Sequence, residues 1–379
     1  MLHGRGATKH RWTPVSLLVL VVAGALFGAS SAYAGNGSIT VMTQNLYQGT
    51  EFRHFAALQG TTPTFEQALA ATTADYITYL HTDFKARAAQ IAATIAREKP
   101  ALVGLQEVAT WHQGQVDFEH LFKLPEPVSE DFTAELLEAL AARGQHYAVA
   151  SSHDNNFTLA FPVLAPPTFS SLVSVGMVES GEILARTDVP PGQFRVSNPQ
   201  SGTYNARIPT IPNPLSPSEP FVFTNSWQSV DVKVRSKSFR FVTTHLDALD
   251  PSGTVSGFQA QELLAGPANT SLPVIVSGDM NSGPKTAPNA YNSLAGSLTD
   301  TWVSAGLGEP PLTCCHLANE DLVNNPADVY TEDLDHVFTR GPLKIENEHL
   351  VGNTPAEPLP EPFLWPSDHA GMVATLGTG

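Results

Sequence analysis

The chain has 379 residues, with 36 acidic against 20 basic side chains and a formal net charge of −16 at neutral pH. That balance is poorly suited to extended, nonspecific capture of nucleic acid, which draws its affinity from Lys and Arg neutralising phosphates. The only cysteines, Cys314 and Cys315, are adjacent, which excludes a loop-closing disulfide framework and leaves a vicinal bridge, an intermolecular pair and buried thiols open.

At the amino terminus, Arg5, Lys9 and Arg11 precede an uncharged run over residues 15–27, and Ala32-Tyr33-Ala34 with Gly35 follows. The run falls short of the ~20 residues of a membrane-spanning helix. The pattern predicts a signal peptide over residues 1–34, cleaved after Ala34, and a secreted or periplasmic protein that is not integral to the membrane. No cysteine lies near the cut to take a lipid. Cleavage would leave 345 of the 379 residues as one globular domain, and loss of the three basic residues would move the charge from −16 to −19.

Along residues 35–379, segments of helical period alternate with short apolar runs. Residues 39–44 predict a strand leading into Asn45. Phe84, Ala88, Ile91 and Ile95 recur at helical spacing and stop at Lys99-Pro100, and residues 101–108 then predict a buried strand carrying Glu107. Residues 131–143 predict a second helix, opened by an acidic cap and closed by Gly144. The apolar run 157–175 is broken by Pro162, Pro166 and Pro167, so it reads as core strand and turn, with a lipid-facing loop as the alternative. Prolines 209, 212, 214, 217 and 220, and later 355, 358, 360, 362 and 366, mark two long loops.

Polar residues sit where several of the apolar runs end. Residues 239–244 lead into His245. Val274, Ile275 and Val276 read as a strand buried on both faces, after which Gly278 breaks the run and Asp279 and Asn281 emerge together, two apart on one face. Gly-Asp-x-Asn is also an ordinary turn sequence. Late in the chain stand Leu334-Asp335-His336 and Ser367-Asp368-His369, the latter opening the apolar run 370–376. A single polar residue at a strand edge is a turn or a cap more often than a catalyst; the repetition is what points to a site.

Taken in order, Gln44-Asn45, Gln106-Glu107, Thr244-His245-Leu246, Gly278-Asp279-Met280-Asn281, Leu334-Asp335-His336 and Ser367-Asp368-His369 resemble the signature of the endonuclease/exonuclease/phosphatase superfamily. The resemblance implies an α/β four-layer sandwich, two mixed β-sheets packed face to face with helices on the outer faces, and a site where strand ends converge. It implies a Mg²⁺ (or Mn²⁺) ion held by Glu107 with Asn45 beside it, and Asp368 serving the metal or orienting a histidine. Asp279 would orient or deprotonate the attacking water, and Asn281 would hold a phosphate oxygen. His369, paired with Asp335 or Asp368, would act on the phosphoryl group, and His245 would be a further phosphate or leaving-group contact. His336 stands where the family usually has an apolar or aromatic residue and is left out.

Oxygen ligands with one or two carboxylates suit Mg²⁺, and histidines beside carboxylates stay protonated near neutral pH, so the residue types agree with phosphoryl transfer. His245 in a His-Leu motif argues for the deoxyribonuclease, sphingomyelinase and phosphatase branches over the AP endonucleases. Glu179 could be the extra carboxylate that nucleases pair with histidine, but reads better as a solvated strand-end residue. The expectation is a secreted metal-dependent phosphoric ester hydrolase, foremost a phosphodiesterase, with no obligate protein partner. Its substrate would be a nucleic acid, a phospholipid or a small phosphate ester. A phosphomonoesterase for inositol- or sugar-phosphate-like molecules, a nuclease, and a non-catalytic binding module are the alternatives. No Gly-x-Ser-x-Gly elbow or His-Glu-x-x-His motif supports another hydrolase class.

Overall fold

The computed structural model describes residues 37–209, 213, 216, 220–316, 322–354 and 362–378. The expected signal segment and much of both proline-rich loops (212, 214, 217, 355, 358 and 360) lie outside these residues, as do the side chains of residues 156–159. In chain order the elements are β1 (Ser38–Asn45), α1 (Arg53–Ala56), α2 (Phe65–His81), α3 (Phe84–Glu98), β2 (Leu102–Gly114), β3 (Val128–Asp131), α4 (Phe132–Ala141), β4 (Tyr147–Ala165), β5 (Ser171–Arg186) and β6 (Phe194–Thr203). Then follow β7 (Ser226–Val234), β8 (Lys237–His245), α5 (Thr254–Ala265), β9 (Val274–Asp279), α6 (Asn289–Ala295), β10 (Thr299–Asp300), α7 (Thr301–Ser304), β11 (Cys314–His316), β12 (Tyr330–Glu332), β13 (Asp335–Arg340), β14 (Lys344–Val351) and β15 (Gly371–Gly377).

Two mixed sheets carry the fold. One runs β14-β15-β1-β2-β5-β4 with β3 added beside β2; the other runs β10-β13-β9-β8-β7-β6; β11 and β12 form a separate ribbon. Among the described residues only β1/β2 and β8/β9 pair in parallel, and each needs a crossover that places helices on an outer face. Between the sheets lie Ile39, Val41, Leu102, Ile183, Val230, Phe241, Ile275 and Met372, all essentially without solvent contact. Gly104 marks how closely the sheets approach, because a Cβ there would lie 2.3 Å from Thr243 Oγ1 on the facing strand.

The outer layers follow from amphipathic helices. In α3, Phe84, Ala88, Ile91 and Ile95 are buried together with Tyr76 and Tyr79 of α2 and Phe132, Leu136 and Leu140 of α4. Asp83 caps α3 by accepting from Ala86 N at 3.1 Å, and Lys99 takes a left-handed conformation (φ 50°) before Pro100 prevents continuation. Asp131 caps α4 through Ala134 N at 2.9 Å, and Gly144 at φ +67° turns the chain out of it. On the other side, Ala260 and Leu263 of α5 and Ala290 and Leu294 of α6 cover Val242, Val276 and Phe338. Each large apolar side chain so buried contributes on the order of 1.5–3 kcal/mol.

The apolar run 157–175 forms the β4–β5 hairpin; Phe161, Val163 and Val175 are buried against the α2 layer, giving the core-strand reading. Expected strand lengths differ more. β2 continues to Gly114, beyond the predicted end at 108, because β5 and β3 pair with its second half.

Candidate active site

The sheet register assembles the polar strand ends. Asp279 closes β9, directly opposite His245 at the end of β8 and Asp335 at the start of β13. In the other sheet Asn45 closes β1 in register with Gln106. Gln106 itself binds across the sandwich, donating to Thr243 Oγ1 at 2.9 Å and accepting from Thr43 Oγ1 at 3.2 Å, so it ties the two sheets just beneath the site.

Glu107 reaches the site through a bulge. The β2–β5 register shifts between Leu105 and Val108, and Glu107 adopts φ 53°, which turns its carboxylate off the regular alternation. Its Oε1 accepts from Asn45 Nδ2 at 2.9 Å and its Oε2 from Gln48 N at 2.8 Å. Burial and the neighbouring Asp368 carboxylate push its pKa up to about 7.

Asp279 is the hub. Its Oδ2 accepts from Asn45 Nδ2 at 3.1 Å and faces His245 Nε2 at 3.6 Å and His369 Nε2 at 3.7 Å. Its Oδ1 accepts from Asn281 N at 2.8 Å. This last bond corrects the strand reading of Gly-Asp-x-Asn. β9 ends at Asp279, Asn281 sits at φ 44°, and its Nδ2 donates to Leu246 O at 2.9 Å, so an Asx turn rather than strand alternation holds the amide beside the cavity. Gly278 is required where it stands: at φ +146°, a Cβ would meet Thr244 O at 2.0 Å.

Each histidine has a carboxylate on its far nitrogen. His369 Nδ1 lies 2.8 Å from Asp335 Oδ2, with both groups buried, so Asp335 rather than Asp368 is its partner. His245 Nδ1 lies 3.1 Å from Glu179 Oε1. Burial works against charge on both rings. At His245 the bond to Glu179 and the charges of Asp279, Glu179 and Glu107 outweigh it and raise the pKa to about 10. At His369 burial is likewise outweighed by Asp335, Asp279 and Asp368, which hold the ring well above its ordinary value. Asp279 thus faces two imidazolium groups across 3.6–3.7 Å.

Glu179 is a correction. It is not solvated: it lies buried on β5 and also accepts from Asn155 Nδ2 at 3.1 Å. A carboxylate inside the apolar stretch around Met177 and Ile183 is the signal that could have found it, since buried acids need partners. Arg87 was equally legible as a charge on the apolar face of α3. Its guanidinium is buried and donates to Leu46 O, to Tyr47 O at 3.0 Å and to Pro366 O at 3.3 Å, joining the loop after Asn45 to the approach to Asp368. His336 stands apart from the site residues. It is buried against Tyr291, with Nε2 near Ser282 O and Asp333 O.

Cys314 and Cys315 form a vicinal disulfide, which resolves the three options. It lies against the Ser367-Asp368-His369 segment. Cys314 bridges to His369, Cys315 N donates to Asp368 O at 3.1 Å, and Ala370 N donates to Thr313 O at 2.7 Å. Thr313 Oγ1 in turn accepts from Leu334 N and Asp335 N at 3.1 and 3.0 Å. One short segment therefore fixes both halves of the His369–Asp335 pair.

Glu107, Glu179, His245, Asp279, Asn281, Asp368 and His369 line one cavity of about 570 Å³. Asn45 and Asp335 lie directly behind these residues through the bonds above. Glu107 and Asp279 offer carboxylate oxygens within 4.8 Å of one another, and Glu107 with Asp368 presents crowded carboxylates. An oxygen-rich, negatively charged donor set of this kind fits a hard divalent cation.

No curated protein sequence matches the chain. Among solved structures, an endonuclease/exonuclease/phosphatase family protein from Leptotrichia buccalis C-1013-b is similar at TM-score 0.51 and 16% identity, over 89% of this chain and 99% of that one. A family protein from Bacteroides thetaiotaomicron gives 0.49 at 16% identity, over 90% and 98%. A mannosyl-6-phosphatase from Bacteroides thetaiotaomicron VPI-5482 gives 0.49 at 17% identity, over 89% and 99%. At such identities the first of these likenesses shows the fold alone. The model of the endonuclease/exonuclease/phosphatase family matches residues 80–369, well over half of the sequence, and the chain therefore belongs to that family, whose members are phosphoesterases or nucleases.

Proposed function

We propose that the protein is an exported, Mg²⁺-dependent phosphodiester hydrolase. The observation that carries the reading is the convergence on Asp279: one carboxylate oxygen bound by Asn45 and faced by two carboxylate-backed histidines, beside the Glu107–Asp368 pair. Glu107, with Asn45 and Asp368 near it, would hold the cation, which would supply positive charge to neutralise the phosphate. Asp279, oriented by Asn45 Nδ2 and Asn281 N, accepts a hydrogen bond from the attacking water and turns its lone pair toward phosphorus. His245 and His369, kept protonated by Glu179 and Asp335, bind the charge that builds on the phosphoryl oxygens, and one donates to the leaving oxygen.

Export is supported by the signal-like sequence before Gly35 and by the disulfide, which suits an oxidising compartment. Among the described residues no helix is long and apolar enough to cross a membrane. The deciding experiment is hydrolysis of bis-p-nitrophenyl phosphate by purified protein, before and after chelation. Activity is expected to vanish with chelator and to return with Mg²⁺ or Mn²⁺; full activity in excess chelator after dialysis would overturn the metal assignment.

A further inference from the structure

The cavity is larger than its chemistry requires. At about 570 Å³ it has the size of a site for a whole organic ligand, and its lining is shared between the phosphate-handling groups and apolar side chains. The apolar part of the lining includes an aromatic wall of Phe52 and Phe55, both largely buried, and Phe221 and Phe223, both half-buried, together with Leu249. Phe55 and Phe221 meet edge to face at 5.8 Å, and Phe221 meets Phe223 at 6.4 Å. The wall is anchored from behind. Phe52 and Phe55 pack on Phe161 of β4 at 5.8 and 6.0 Å, and buried Asp75 fixes Phe55 by accepting its backbone N–H at 2.9 Å.

The charges on the lining select among phosphoesters. Carboxylates are the commonest charged groups on it, and among the described lining residues Arg53 is the one arginine or lysine. Beyond the histidines and the cation that serve one phosphate, a substrate with several phosphates would find only Arg53 among carboxylates, whereas an uncharged apolar group would meet aromatic faces. We infer that the substrate is a phosphodiester with a single phosphate, whose ester group other than the leaving group is an uncharged apolar or aromatic moiety seated on the Phe55–Phe221 wall. This inference rests on the phosphodiesterase reading above and narrows it away from polyanions such as nucleic acid and polyphosphorylated sugars.

The test holds the leaving group constant. With Mg²⁺ present, kcat/KM is measured for phenyl p-nitrophenyl phosphate and methyl p-nitrophenyl phosphate, each normalised to its hydroxide-catalysed rate, with a single-stranded oligonucleotide as competitor. The phenyl ester is expected to be preferred by at least ~10-fold, as burial of one aromatic ring warrants. The preference should shrink severalfold in Phe221→Ala and in Phe55→Ala, and the oligonucleotide should compete poorly. Phe221 is only half-buried and lies outside the named strands and helices, so its variant keeps the test open if Phe55→Ala fails to fold. Equal normalised values for the two esters in the wild type, an unchanged ratio in folded Phe221→Ala, or strong competition by the oligonucleotide would overturn the inference while leaving the phosphodiesterase reading intact. Absence of hydrolysis of either ester would remove that reading and this one with it.

Discussion

The floor and the wall of the cavity are built on different principles. The floor is made of side chains at the ends of β1, β8 and β9 and at the start of β13, where hydrogen-bonded register sets each against its neighbour and nearly every polar group has a partner. The wall is made of Phe52 and Phe55 at α1 and of Phe221 and Phe223, which sit outside the named strands and are held by aromatic packing. Groups that must be placed to fractions of an ångström are mounted on strands, and groups that only have to exclude water and fit a surface are mounted on connections. The difference teaches where each kind of change should be felt: in kcat at the floor, in selectivity at the wall.

The largest effect should come from the floor. Asp279→Asn and His369→Ala each remove a group expected to act chiefly in the transition state, so kcat should fall at least ~10²-fold with a much smaller rise in KM. Steady-state kinetics on protein shown to be folded by circular dichroism check this. Values near wild type for both variants would leave the fold without this mechanism.

A smaller effect separates the two histidines. His245 owes its raised pKa of about 10 to partners that overcome burial, Glu179 foremost. With its charge removed in Glu179→Gln, the imidazolium should lose its proton at lower pH, because the folded-state pKa falls toward or below the ordinary histidine value. The basic limb of the kcat/KM profile should therefore move to lower pH by a unit or more (roughly one to three). An unmoved limb would mean that His245 is not the group whose protonation activity requires.

The subtlest prediction concerns the disulfide. Reduction, or the double change Cys314→Ser with Cys315→Ser, should loosen the segment that fixes His369 and Asp335 and lower kcat by roughly 10-fold, with KM nearly unchanged since His245 and Glu179 are held elsewhere. The basic limb set by His245 should stay where it is. If kcat is unaffected, the bonds through Thr313 alone are sufficient, and the floor is more rigid than the comparison supposes.

What could be read before the structure follows the same division. β1, α3, α4, β9 and β15 were visible because apolar period, acidic caps and Gly or Pro stops are local signals. The site residues were legible as polar positions closing apolar runs. Glu179 and Arg87 were readable in principle, since both are charges set among apolar neighbours, but which partner each would find depends on strands and loops distant in sequence.

The sequence alone determined several of the elements, the family and the inventory of oxygen and imidazole groups, because these depend on residue type and on neighbours a few positions away. Only the tertiary structure decided that Asp279, His245 and Asp335 stand in one register, that a bulge turns Glu107 into the cavity, and that Cys314 and Cys315 bridge against His369. Only it brought Phe55 and Phe221 together as a wall. The physical reason is that strand pairing, bulges and loop packing are settled by contacts between segments tens to hundreds of residues apart, whose energies no local window of sequence contains.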